Sequence, residues 1–319
     1  MKAIVLGATG HIGSAICHGL TGLGWEVTAA SRRSTWPASL AECPVERFSV
    51  ASREALERAV RADGYDWLID AAAAYPLDLF RDGEAAVRQA FERTEWLLKL
   101  TREHGVGLAY VSSFTTLVGL GEGSDRWSRE LGKSHHTYFQ LKQAVEALVL
   151  NAEQPTCVIN PTMCLGPWDN KRQDMALVPM LLNRRLPSFV DHVVNVVDVR
   201  DVAAMTHAGM VDSNLHGLPL LVTGHNLSLK RLVHQVCELA DVPKPALETP
   251  MNVGLAASVW FEALYAALGQ RSPSPALALL LVAQHRRIPV NPLQLSTLGE
   301  PTPLAATLQD AIDWHRRAV

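Results

Sequence analysis

Three glycines, Gly7, Gly10 and Gly13, follow directly on the apolar run Ala3-Ile4-Val5-Leu6 and lead into a helix-compatible stretch over 11–23. A short apolar run that ends in glycine suits a strand buried on both faces. Ile12, Ala15, Ile16 and Leu20 then recur at the three-to-four spacing of a helix. Glycine lets the backbone turn tightly and approach a ligand closely. The helix start offers N–H groups and a partial positive charge to a pyrophosphate. The segment Gly7-Ala8-Thr9-Gly10-His11-Ile12-Gly13 is therefore the first candidate for cofactor binding.

The same alternation continues. Strands are expected over 25–30, 45–50, 66–70, 108–111 and 156–159, with helices near 55–60, 83–104 and 137–151. Gly105 and Gly107 follow one helix and Pro155 stops another. Repeated βα units imply an α/β fold with a doubly wound parallel sheet and helices on both faces. After Pro161 the alternation loosens, and a boundary is expected near residue 165. A later apolar run, 218–222, is expected to rejoin the first sheet. The stretch 253–268 reads as a core or interface helix, too short and too charged at Glu262 to span a membrane.

Composition excludes several classes. With 29 Lys plus Arg against 32 Asp plus Glu, the net charge of −3 argues against a nucleic-acid backbone binder. The five cysteines form no C-x-x-C pair, so no zinc knuckle or disulfide framework is suggested, and no metal is expected. A reducing cytoplasm is the natural setting. Neither a membrane nor a nucleic-acid partner is expected.

Three further signals carry chemistry. At the end of the second strand, where a carboxylate would hold a ribose diol, stand Ser31-Arg32-Arg33. Guanidinium groups suit a phosphate by charge and geometry, so NADP(H) is expected to be preferred, with NAD(H) as the alternative. Tyr138 and Lys142 are four apart, on one helix face. An ammonium stabilises a nearby phenolate, so this pair can exchange a proton with a carbonyl or alcohol near neutral pH. Finally, Ser112, Ser113, Thr115 and Thr116 follow the fifth strand. Hydroxyls at that end of a parallel strand line the crevice where ligands bind.

These motifs, with Asn160-Pro161-Thr162-Met163-Cys164-Leu165-Gly166-Pro167 and the block 197–203, resemble the extended short-chain dehydrogenase/reductase superfamily, NAD(P)-dependent epimerase/dehydratase type. The chain is most similar there to dihydroflavonol-reductase-like ketone reductases. The resemblance implies a Rossmann-type NAD(P)-binding domain over 1–165 and a smaller substrate-binding lobe over 166–319. It implies that Tyr138 is the general acid/base and that Lys142 lowers its pKa and holds the nicotinamide ribose. Ser113 would polarise the substrate oxygen; an alternative alignment makes Thr115 the nearest hydroxyl. Ala71, Ala72 and Ala73 would line the adenine and ribose side, and Pro161, Thr162 and Met163 would flank the nicotinamide. A homodimer is compatible with the resemblance. The expected reaction is NADPH-dependent reduction of a small-molecule ketone. A nucleotide-sugar epimerase or dehydratase with tightly held NAD, and a non-catalytic NADPH sensor, are the rival readings. Two positions depart from the family pattern: no acid follows the third strand in Ser49-Val50-Ala51-Ser52, and Ala90 stands near a customary asparagine.

Overall fold

The computed structural model describes residues 1–33, 35–72, 83–118, 133–170, 176–270 and 287–317, with side chains other than those of 83–87, 118 and 133–141. The chain opens with β1 (Lys2–Leu6), α1 (His11–Gly22), β2 (Glu26–Ser31), β3 (Glu46–Ser49), α2 (Arg53–Asp63) and β4 (Trp67–Asp70). It continues with α3 (Gly83–Glu103), β5 (Gly107–Val111), the short α4 (Thr115–Val118), α5 (Lys133–Leu150) and β6 (Thr156–Pro161).

Strand pairing builds one seven-stranded sheet. Its order is β3-β2-β1-β4-β5-β6 and then β10 (Pro219–Val222) at the far edge. Every pairing in it is parallel. The order reverses between β1 and β4, and a crevice opens at such a switch point, outside the carboxyl ends of the strands.

Side chains leave a strand on alternate faces. Ala3 and Val5 join a core with Ile16 and Leu20 of α1 and Val202 and Met205 of a later helix. Ile4 and Leu6 join the opposite core with Leu56 and Val60 of α2, Leu97 of α3 and Val145 and Val149 of α5. The glycine turn can thus be held from two sides by packed helices. β3 is shorter than the sequence suggests, and its residues Glu46, Arg47 and Ser49 are exposed, as suits an edge strand. The helix expected from 137 starts earlier, at Lys133.

Beyond β6, the chain forms β7 (Met163–Leu165), α6 (Leu177–Leu182), β8 (Ser188–Phe189), β9 (Val193–Asp198) and α7 (Val199–Val211), then β10. There follow β11 (His225–Ser228), α8 (Leu229–Ala240), β12 (Leu247–Glu248), α9 (Met251–Ala267), α10 (Pro292–Leu298) and α11 (Leu304–Arg317). A three-stranded sheet, β11-β9-β7, mixes an antiparallel and a parallel pairing. A third core joins it to α6, α8 and α11 through Leu165, Leu181, Val196, Val233 and Ile312.

The 197–203 block is architectural. Asp198 caps α7 by accepting the Arg200 backbone N–H at 2.8 Å, and it takes the Thr307 hydroxyl of α11 at 2.7 Å. Arg200 in turn bridges Asp198 and Asp310, each at 2.7 Å.

Of the two expectations for α9, core or interface helix, its burial disfavours the first: only Leu255, Ser258 and Glu262 are buried, while Val253, Trp260, Phe261 and Leu264 are exposed. All five cysteines are free thiols. No helix among the described residues is long and apolar enough to cross a membrane.

Candidate active site

The turn after β1 is built by close backbone contacts. Gly7 takes φ +77°, a left-handed conformation that favours glycine. A Cβ there would lie 2.7 Å from the Ala71 carbonyl oxygen after β4, and one on Gly13 would lie 2.2 Å from the Gly7 carbonyl oxygen. The Gly7 N–H donates to Ala30 O at 3.1 Å, and the Gly10 N–H donates to Gly7 O at 2.9 Å. Gly10 caps α1 without a side-chain hydrogen bond, so the first-turn amides of the helix point out of the turn with the positive end of its dipole.

A cavity of about 630 Å³ opens beside this turn. Of the residues singled out in the sequence, Gly7, Thr9, Gly10, Ser31, Arg32, Arg33, Ala71, Ala72 and Lys142 line it. Ala8, His11, Ile12, Gly13, Ser113, Pro161, Thr162 and Met163 are not among its lining residues. Ala73 and the side chain of Tyr138 lie outside the described residues; the Tyr138 backbone belongs to α5, one turn before Lys142. His135 and His136 lie with Tyr138 on that helix, and Lys171 and Arg172 fall outside the described residues.

At one end of the cavity, the exposed Arg32 and Arg33 are joined by Arg53. The Arg53 guanidinium lies 5.2 Å from the Trp96 ring centroid, within cation–π reach. Ser31 turns inward: its hydroxyl accepts the Arg33 N–H at 3.0 Å and lies 3.3 Å from the Thr9 hydroxyl. No carboxylate lines this end.

At the other end are Tyr110 and Lys142. Lys142 is 2% exposed. Burial pushes its ammonium down to about 8, although the Asp70 and Glu146 carboxylates oppose that shift. Its Nζ lies 5.7 Å from the Tyr110 ring centroid. Asp70, at the end of β4, accepts both terminal nitrogens of Arg93 from α3, at 2.5 and 2.8 Å. Arg93 also lines the cavity.

The hydroxyl segment after β5 runs beside β6: the Ser112 N–H donates to Ile159 O at 2.7 Å, and the Phe114 N–H donates to Pro161 O at 3.2 Å. Ser113 and Thr115 are both buried and meet directly, with the Thr115 hydroxyl donating to Ser113 Oγ at 3.0 Å. The two candidate polarising hydroxyls are thus neighbours.

His11 meets the 167–170 loop. Its Nε2 lies 3.0 Å from Pro167 O, and the Asn170 amide donates to Thr9 O at 3.3 Å and to Ser14 Oγ at 3.2 Å. Trp168, at φ +65°, stacks on His18 with ring centroids 4.2 Å apart. That loop therefore binds the glycine turn itself rather than bordering a ligand alone.

The sequence reading passed over Asp70, Arg93, Arg53 and Glu146. Glu146 had one available signal, its position four residues after Lys142 on the same helix face.

The tight glycine cradle, the open helix start and a cavity lined by Arg32, Arg33, Arg53, Arg93 and Lys142 fit a dinucleotide with its phosphates over the turn. The glycine cradle and the cationic lining fit the phosphates of such a group. This is an NAD(P)-dependent, oxidoreductase-type enzyme site on a doubly wound sheet. Residues 3–212 match the NAD dependent epimerase/dehydratase family, and the chain belongs to it.

Relatives fill in the neighbourhood. The chain is 27% identical to the protein named "Putative dihydroflavonol 4-reductase" of Synechocystis sp., over 98% of this chain and 94% of that one. It is 28% identical to sterol demethylase protein B of Methylococcus capsulatus, over 78% of each. Among solved structures, UDP-glucose 4-epimerase of Thermus thermophilus, crystallised as a complex with NAD, shares the fold with a TM-score of 0.69 at 19% identity over 100% of both chains.

Proposed function

We propose that this enzyme reduces a carbonyl group on a small-molecule substrate, using NADPH, with Tyr138 as proton donor. The observation that carries the reading is the buried Lys142 amine at the inner end of the cavity, one helical turn after Tyr138. When bound, the reduced nicotinamide supplies a hydride to the carbonyl carbon. Lys142 holds a positive charge beside the phenol, favours the phenolate that remains after proton release, and hydrogen-bonds the nicotinamide ribose. Tyr138 gives its proton to the developing alkoxide. Ser113, or its hydrogen-bonded neighbour Thr115, polarises the carbonyl oxygen. Gly7, Thr9 and Gly10 receive the pyrophosphate, Ala71 and Ala72 flank the adenosine side, and Pro161, Thr162 and Met163 bound the nicotinamide. Arg32 and Arg33, joined by Arg53, grip the 2′-phosphate, which supports NADPH over NADH. Residues 1–165 form the cofactor side and 166–319 contribute the substrate side. Five free thiols support a reducing compartment.

The test is a spectrophotometric assay of NADPH and NADH oxidation against a panel of ketones and aldehydes. Turnover with a clear NADPH preference supports the reading. A copurified NAD that does not exchange, together with inversion of a sugar nucleotide, overturns it in favour of an epimerase.

A further inference from the structure

Glu146 lies one turn after Lys142 on α5 and is 4% exposed. Burying a carboxylate costs several kcal/mol unless partners compensate it. Here the partners converge on one oxygen. Oε2 accepts the Ser112 hydroxyl at 2.6 Å, the Thr116 hydroxyl at 2.7 Å and the Asn160 amide at 2.8 Å. Donors at these distances supply the hydrogen bonds that a buried carboxylate oxygen needs. The donors come from three places: the end of β5, the short α4 and β6.

Ser112 and Thr116 bracket Ser113 and Thr115. The same cluster ties down the backbone between them: the Asn160 amide donates to Ser113 O at 3.2 Å, and the Thr116 hydroxyl, its one proton shared between Glu146 Oε2 and Ser113 O, lies 2.8 Å from that carbonyl oxygen. Two ends of a five-residue segment are thus fastened to the helix that carries Tyr138 and Lys142. Among the described residues, the charged and titratable groups facing Lys142 include Asp70 from β4, with its partner Arg93 from α3, Tyr110 from β5, and Glu146 from its own helix.

We propose that Glu146 is a positioning residue: it clamps the 112–116 segment to α5, so that the polarising hydroxyl and the Tyr138–Lys142 pair keep their spacing. The proposal rests on the functional reading above for its kinetic consequence. Glu146 also adds a negative charge beside the Lys142 ammonium.

The experiment compares full-length Glu146→Gln and Glu146→Ala with the parent enzyme. Gln preserves shape and an acceptor but removes the charge. Glu146→Gln is expected to melt within a few degrees of the parent and keep its NADPH KM within about twofold. Its kcat falls about tenfold, a fraction of what acid–base positioning can supply, and the high-pH limb of kcat moves to lower pH. Glu146→Ala is expected to lose about a hundredfold in kcat and to exchange the amide protons of 113–117 faster. A Gln variant with parental kcat and pH profile overturns the proposal. If the parent enzyme reduces no carbonyl, the functional reading fails separately; the clamp is then judged by amide exchange, and unchanged protection of 113–117 in Glu146→Ala overturns it.

Discussion

Asp70 and Arg93 meet fork to fork beside the cofactor crevice, with the carboxylate 1% exposed at its side chain and the guanidinium 31%. Arg93 lines the crevice and reaches from the middle of α3 to the end of β4, where it neutralises the acid. Removing one partner of a buried pair leaves an uncompensated charge, typically at a cost of about 3–5 kcal/mol. Arg93→Ala should therefore lower the melting temperature strongly. The double variant Asp70→Asn/Arg93→Ala should recover part of that loss. Equal melting of the single and double variants would show that the pair is not coupled.

Tyr138→Phe removes the proton donor and keeps the ring. Turnover should fall about 10²–10⁴-fold, while NADPH affinity, followed by fluorescence, stays near the parent value. Retention of most activity would exclude the phenol as the acid.

The pH dependence follows from Lys142. Burial holds its folded-state value at about 8, below the ordinary lysine range. The ammonium is therefore present below that value and lost above it. Carbonyl reduction should decline as pH rises through about 8, well before exposed lysines titrate. Lys142→Met should lower kcat at every pH and abolish that limb. A plateau extending unchanged to pH 10 would contradict it.

Cofactor choice should turn on Arg32 and Arg33. Replacing both with serine removes charge from an exposed edge and should leave folding intact. The NADPH-to-NADH ratio of kcat/KM should fall at least about tenfold, equivalent to about 1.4 kcal/mol. An unchanged ratio would move phosphate recognition elsewhere.

Gly13→Ala places a methyl group 2.2 Å from the Gly7 carbonyl oxygen. The turn must open to admit it, at a cost of about 1–3 kcal/mol, and NADPH affinity should drop with it. Gly22→Ala meets nothing within 4 Å and should be neutral or slightly stabilising. Similar effects of the two changes on a thermal melt would refute the close-packed turn.

The first sheet was readable because its strands are short apolar runs punctuated by glycine, and each βα unit repeats one local rule. Even the return of 218–222 is visible as an isolated apolar run. The sheet β11-β9-β7 was not legible: Val193–Asp198 pairs with segments about thirty residues away on either side, and no local pattern encodes which partners it takes. The same limit hid much of the site. Gly7, Arg32 and Lys142 announce themselves by motif. Glu146 looks like any helical glutamate until Ser112 and Asn160 arrive around it, and Asp70 looks like the end of a strand until Arg93 closes on it. For α9 the sequence left core and interface open, since burial depends on what surrounds a helix; Val253, Trp260, Phe261 and Leu264 are exposed.

The last strand of the large sheet has a consequence for anyone who would divide the molecule. β10 arrives after more than fifty intervening residues and seals β6, pairing Leu220 with Ile159 and Val222 with Pro161. A fragment ending near residue 165 would bare a row of unsatisfied amides and carbonyls along an apolar margin, an invitation to self-association. The nucleotide-gripping half is therefore not a detachable module: its outermost rib is supplied by the half that follows it.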